Sequence, residues 1–403
     1  LEEPITPIIH AMRRVVVIVP HWLANPDGES VLRGNLPALS FFAESGTLQK
    51  CSEMPPDAAS DSWTTKGGRR TITPEAAWLG LRPESLTMQD GPLMVSALGA
   101  DPPDTSVHFH LSLMSVDNGV ASTPTVAVPA EHVKTVMEVA RQLNTRKLTI
   151  VEGEGFDHAL VWEEGSLEIG TVPRSGVEGK DIAGLLPEGD GEPMLRRFID
   201  DSNNLLSSLE LNHERQQEGL PPLNLLWPWG QGFRVPVPNL AIRRGEPCMV
   251  ASNSLRLQGL ARLAGYRHAN RSAFGRGIKI NLPEILKVVQ SSFSSIVYLD
   301  TFTWLRSYQR LEEAEWFTNE IDKHLLQPLV DLSRREALTL TLVAPGGYTG
   351  EISPADASAE GLVVRYATDV LAKSTMPFDE RALDERHLSR TTPWDAVDAG
   401  LTI

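Results

Sequence analysis

Two rhythms of hydrophobic and polar positions divide this chain. Residues 15–19, VVVIV, form an unbroken β-branched apolar run. Such a run suits a central parallel strand buried on both faces. A polar turn at 25–28 follows, and then a Pro-initiated, Gly-stopped helical stretch at 35–46. Strand, loop and helix in this order open an α/β unit, whose chemistry sits in loops at the carboxyl ends of the strands. Apolar runs at 247–250, 295–299 and 338–344 predict further strands of this core. Helical spacing at 254–265 and 282–290 predicts helices packed on it. After residue 365 only a helix at 366–373 is expected.

Between these segments the rhythm changes. Residues 107–116 alternate as a half-polar strand, which puts His108 and His110 on one face. Such a pair is compatible with metal binding, although alternation alone accounts for it. An amphipathic helix at 130–143, strands at 147–151 and 158–162, a Gly-rich acidic stretch at 176–191 and a long helix at 192–211 come next. This mixture reads as an inserted α+β domain. The expected division is a discontinuous core, residues 12–120 and 223–403, around an insert at residues 121–222.

Composition changes this picture in few places. At 403 residues the chain is too long for one simple core, which agrees with two domains. A net charge of -15 argues against a nucleic-acid partner and against a site built from massed cations. Cys51 and Cys248 stand far apart without metal spacing, so no disulfide framework is implied. No apolar run reaches transmembrane length, and the acidic, Pro-containing first residues do not read as a signal peptide. Met12 is a candidate native start, and the expected location is the cytoplasm, away from membranes.

Residues 212–232, NHERQQEGLPPLNLLWPWGQG, run from a polar helix end through a Gly-Pro-Pro break into an apolar strand. The strand is expected to close in a Trp-Pro-Trp-Gly-Gln-Gly loop, whose tryptophans suit packing. Asn212, Arg215, Asn224, Trp227, Trp229, Gly230, Gln231 and Gly232 together resemble a motif of the archaeal-type cofactor-independent phosphoglycerate mutases, in the alkaline phosphatase superfamily. The resemblance extends from about Val15 to about Val364. It implies an alkaline phosphatase-like core, a mostly parallel sheet flanked by helices, with the insert as a cap over the substrate. It also implies two-metal phosphoryl transfer through a Ser nucleophile.

Several positions depart from that pattern. His21 stands where the resemblance places a metal-binding Asp, and Asp90 and Asp157 stand where it places arginines. His158 keeps its family position, while Pro173, Arg174 and Ser175 replace a Pro-His-Asp. With the pair Ile321 and Asp322 as anchor, two further ligand positions read Thr303 and Ser307. Asp356 and Ser358 fix the next segment, whose ligand positions become Gly347, Tyr348 and Ala357. The nucleophile falls on Ser60 or Thr73 around an inserted basic piece that holds Lys66, Arg69 and Arg70.

A two-metal site needs several anionic or imidazole ligands, and these positions supply one. The expectation is therefore a pseudoenzyme for metal-dependent phosphoryl transfer, with no cofactor and a cleft retained for an unidentified small molecule or protein partner. The competing expectation is a metal-dependent phosphomutase or phosphatase with a rebuilt site. It would use Ser60 or Thr73 as nucleophile, His21 as base and Mn or Zn as metal. Lys66, Arg69, Arg70, His158 and Arg174 are the candidate ligand-binding residues under either reading.

Overall fold

The computed structural model describes residues 12–23, 30–52, 73–82, 88–124, 128–269, 271–275, 277–307, 309–345, 360–370, 378–384 and 387–402. The chain begins with β1 (Arg13–Ile18), α1 (Pro37–Ser45), β2 (Thr47–Cys51), α2 (Thr73–Trp78), α3 (Asp90–Ala97), β3 (Val107–Asp117) and β4 (Val120–Ser122). Next come α4 (Ala130–Ala140), β5 (Leu148–Val151), β6 (Asp157–Trp162), β7 (Ile169–Gly170), α5 (Arg174–Val177), β8 (Glu188–Gly189), α6 (Glu192–Ser207), α7 (Glu210–Gln217) and β9 (Leu225–Gly232). Then follow α8 (Leu240–Arg244), β10 (Met249–Ala251), α9 (Leu255–Leu263), β11 (Arg267–His268), α10 (Leu282–Gln290), β12 (Ser294–Tyr298) and α11 (Thr301–Ser307). The last are α12 (Leu311–Ile321), α13 (Gln327–Ser333), β13 (Leu338–Ala344), β14 (Gly361–Ala367), β15 (Arg390–Thr391) and α14 (Pro393–Leu401).

The larger sheet has eight strands in the order β11-β10-β12-β1-β13-β14-β2-β15. Within it only β14 runs against the others. The mostly parallel α/β core expected from the sequence is present. β1 shows why its run is unbroken. Val15 and Val17 join Phe42, Ile285, Phe317 and Leu329 on one face, while Val16 and Ile18 join Trp78, Leu257, Leu260 and Val397 on the other. Asp322 also gains a physical role. Its carboxylate accepts from the amides of Leu39 (2.7 Å) and Ala38 (3.3 Å), in the first turn of α1, whose own N-cap residue supplies no side-chain bond.

The second sheet is antiparallel, with β4-β3-β6-β5 in order and β9 on β3. Its odd-numbered β3 residues, among them Phe109 and Leu111, pack under α4 and α6 with Val136, Leu195 and Phe198. The register sets His108 opposite Val161 and His110 opposite Ala159, and these two partners pack on Met94 and Val95 of α3. Thus α3 lies between the sheets, with Leu93 in the core of the first. The approach is close. A Cβ at Gly91 would meet the His108 carbonyl at 2.1 Å, and one at Gly259 the Leu93 carbonyl at 2.0 Å. The sheet extends beyond residues 121–222 at both ends, because β3 and β9 belong to it.

Three expected elements differ. The single helix at 192–211 is broken between α6 and α7, where Asn212 Nδ2 takes the Leu206 carbonyl at 2.7 Å. The Trp-Pro-Trp-Gly-Gln-Gly loop is strand β9. It pairs only with β3 among the described strands, and an edge position tolerates Pro228. The helix at 366–373 is contradicted at its start, since Tyr366 and Ala367 end β14 opposite Leu340 and Thr339. No helix among the described residues is long and apolar enough to cross a membrane.

Candidate functional site

The carboxyl end of β1 delivers Pro20, His21 and Trp22 to the edge of the parallel sheet. His21 adopts φ 58°, a left-handed backbone, and is 2% exposed. Trp22 is anchored through its indole N–H to Thr318 Oγ1 at 3.0 Å and lies against Phe302 and Phe378. The left-handed turn aims the carbonyls of both residues at one cation. Arg306, on α11 after β12, donates Nε to the His21 carbonyl and Nη2 to the Trp22 carbonyl at 2.9 Å. It is itself buried. Burial, and secondly this guanidinium, push the His21 pKa down to about 3, so the imidazole is neutral at ordinary pH.

A second buried charge cluster joins α2, α3 and α9. Arg256 Nε donates to Glu75 Oε1 at 2.7 Å and Nη1 donates to Asp90 Oδ1 at 2.6 Å. Both carboxylates are almost wholly buried. Asp90, where an arginine was expected, is therefore held by a guanidinium from another element.

The third cluster lies on the second sheet. His110 stacks on Trp229 at 4.4 Å and shares a hydrogen bond with Asp157 Oδ1 at 3.1 Å through Nε2. Arg174, at the start of α5, reaches the same carboxylate oxygen at 3.5 Å. Two departures from the expected pattern, Asp157 and Arg174, thus meet as opposite charges. His158 lies apart from them in role. It is fully buried, its Nδ1 accepts from the Gly153 amide at 3.0 Å, and desolvation pushes its pKa down to about 4.

Of the remaining sequence candidates, Ser60, Lys66, Arg69 and Arg70 lie outside the described residues, as do Gly347, Tyr348, Asp356, Ala357 and Ser358. Thr73 opens α2, and Thr303 and Ser307 lie in α11, but their side chains are outside the description. Among the described residues no group of three or more His, Cys, Asp or Glu is placed to hold a metal ion. Of the expected ligand positions, His21 alone has a described side chain, and its neighbour is the Arg306 guanidinium. Sequence reasoning missed Arg306 and Arg256. The one signal for Arg306 was a basic residue directly before a departed ligand position.

The motif residues of 212–232 are structural. Asn212 also bonds the Leu223 carbonyl (3.0 Å) and amide (2.7 Å), and Arg215 Nε donates to the Pro221 carbonyl at 2.9 Å. Asn224 bonds both backbone groups of Val116, at 2.8 and 3.0 Å. Trp227 Nε1 donates to the Val172 carbonyl at 2.7 Å, Trp229 Nε1 to Ser112 Oγ at 2.9 Å, and Gln231 to the Ile169 carbonyl.

No family model matches the chain. It is 24% identical over 159 residues to a probable 2,3-bisphosphoglycerate-independent phosphoglycerate mutase of Geobacter sulfurreducens. Its relatives are cofactor-independent phosphoglycerate mutases. The match spans 38% of this chain and 40% of the Geobacter mutase. A solved cofactor-independent phosphoglycerate mutase from Thermoplasma acidophilum superposes with a TM-score of 0.57 at 16% identity, covering 96% of this chain and 98% of that one. A solved Pyrococcus horikoshii protein superposes with a TM-score of 0.71 at 14% identity, covering 97% of each chain. The fold is thus the alkaline phosphatase-like α/β arrangement of this mutase neighbour.

Proposed function

We propose that this phosphoglycerate mutase-like chain no longer performs two-metal phosphoryl transfer and keeps its cleft for a small-molecule ligand or a protein partner, in the cytoplasm. Residues 121–222 are the proposed cap. The observation that carries this is Arg306, buried against the carbonyls of His21 and Trp22. A guanidinium stays charged at every ordinary pH. A dication brought to His21 would meet that fixed charge where solvent screens it little. An imidazole with a pKa of about 3 is also a weak general base near neutrality, which weighs against His21 activating Ser60 or Thr73.

The test is a thermal-shift titration with Mn²⁺, Zn²⁺, Mg²⁺ and Co²⁺, followed by an assay for interconversion of 2- and 3-phosphoglycerate. A ligand of the folded state at about 1,000 times its Kd stabilises by about 4 kcal/mol, so binding would be visible. No metal-dependent shift and no turnover are expected. Metal-dependent turnover that disappears in His21→Ala would overturn the proposal in favour of a metal-dependent phosphomutase.

A further inference from the structure

At the end of α3 remote from Asp90 lies a polar cavity of about 170 Å³. Its wall includes Ser96 of α3, Asp101 in the following loop, His108 at the start of β3, Arg234 just beyond β9 and Arg262 near the end of α9. His108 is 2% exposed, yet neither ring nitrogen has a hydrogen-bond partner. Buried polar groups are nearly always partnered in folded proteins, and a bound water or ion is one explanation of an exception. Here two guanidiniums decide between these. Arg234 pairs with Asp101, whose side chain is 75% exposed, and Arg262 Nη2 donates to the Gly99 carbonyl at 3.2 Å. A solvent-exposed ion pair contributes little to stability, so its loss to a competing anion costs little. A single water needs about 10–15 Å³ of such space, so the cavity has room for a tetrahedral oxyanion or a short carboxylate.

We infer that this cavity binds a small oxyanion, with Arg234 and Arg262 supplying the charge and an N–H of the His108 imidazole donating a hydrogen bond. The occupant is inorganic phosphate or the phosphate or carboxylate end of a small metabolite. Asp101 and Asp104 stand close by and oppose the anion, which weakens its binding. None of these residues belongs to the His21–Arg306 site, so the result is independent of mutase activity.

The experiment titrates the full chain with inorganic phosphate, with sulfate and malonate in parallel, by calorimetry and by imidazole ¹⁵N resonances. The His108 signals are assigned from His108→Gln. Saturable binding is expected, with the His108 resonances shifting, and at least about tenfold weaker in Arg234→Gln and in Arg262→Gln at unchanged thermal midpoints. Binding of phosphate and sulfate without malonate would narrow the occupant to tetrahedral oxyanions, and binding of all three would support the shared chemistry. Absence of saturable binding by any of them overturns the inference. So does binding that both arginine variants leave intact, since the anion would then sit elsewhere.

Discussion

Arg306 and Arg256 are single residues on which two buried sites turn. Replacing Arg306 by Met leaves the His21 and Trp22 carbonyls without their donor, and a buried acceptor left unsatisfied costs about 1–3 kcal/mol. A loss of about 2–4 kcal/mol is expected for the pair in denaturant unfolding. The His21 pKa should also rise, because the second cause of its depression is removed. Arg256→Met is expected to cost about 3–5 kcal/mol, since Glu75 and Asp90, both buried carboxylates, would lose the guanidinium that bridges them. Asp90→Asn should cost less, because an amide oxygen can still accept from Nη1. Equal losses in the two variants would show that the cluster is not held by charge. At this scale the sequence revealed departures but not their partners. His21, Asp90 and Asp157 stood out against the family pattern, whereas the contacts that explain them span 285, 166 and 17 positions. Such contacts leave no trace in local periodicity.

Elements were legible where their pattern is local. β1 and β13 are apolar runs bounded by turns or polar residues, and α10 carries a Pro near its start and an apolar face, so each was found within a residue or two. The first residues of β9 were legible as a strand, but its Trp-Pro-Trp-Gly-Gln-Gly part was read as a loop, because Pro and Gly weaken strands in general and only its edge position makes them tolerable. The break between α6 and α7 was hidden for another reason. It depends on Asn212, whose side chain bonds the Leu206 carbonyl and both backbone groups of Leu223. Asn212→Leu keeps the bulk and removes these three bonds. A loss of about 2–4 kcal/mol is expected, together with faster hydrogen exchange at the Leu223 amide. If that amide exchanges as slowly in the variant as in the parent, the junction is held by packing alone.

For the whole molecule, the buried histidines set the response to acid. His21, His108 and His158 have pKa values pushed down to about 3, 4 and 4, in each case chiefly by burial. His268 is shifted in the same direction, again mainly by burial. Asp322 opposes them, because burial raises its pKa and the folded chain then holds a proton the unfolded chain has released. The unfolded chain protonates histidines near pH 6.5, while the folded chain keeps these neutral until pH falls to about 4 or 3. Between those limits the unfolded state binds more protons, so stability falls as pH falls. Each such histidine removes about 1.4 kcal/mol per pH unit, or about 4 kcal/mol per unit for three together. Against a typical total of about 5–15 kcal/mol, that is enough to unfold the chain within a few units. The thermal midpoint should therefore be nearly flat above pH 7 and drop steeply below about pH 6. His108→Gln should lessen that slope by one proton's worth, read from midpoints across the acid range. A midpoint that stays level down to pH 4.5, or a variant with the parent's slope, would mean that these imidazoles protonate inside the fold.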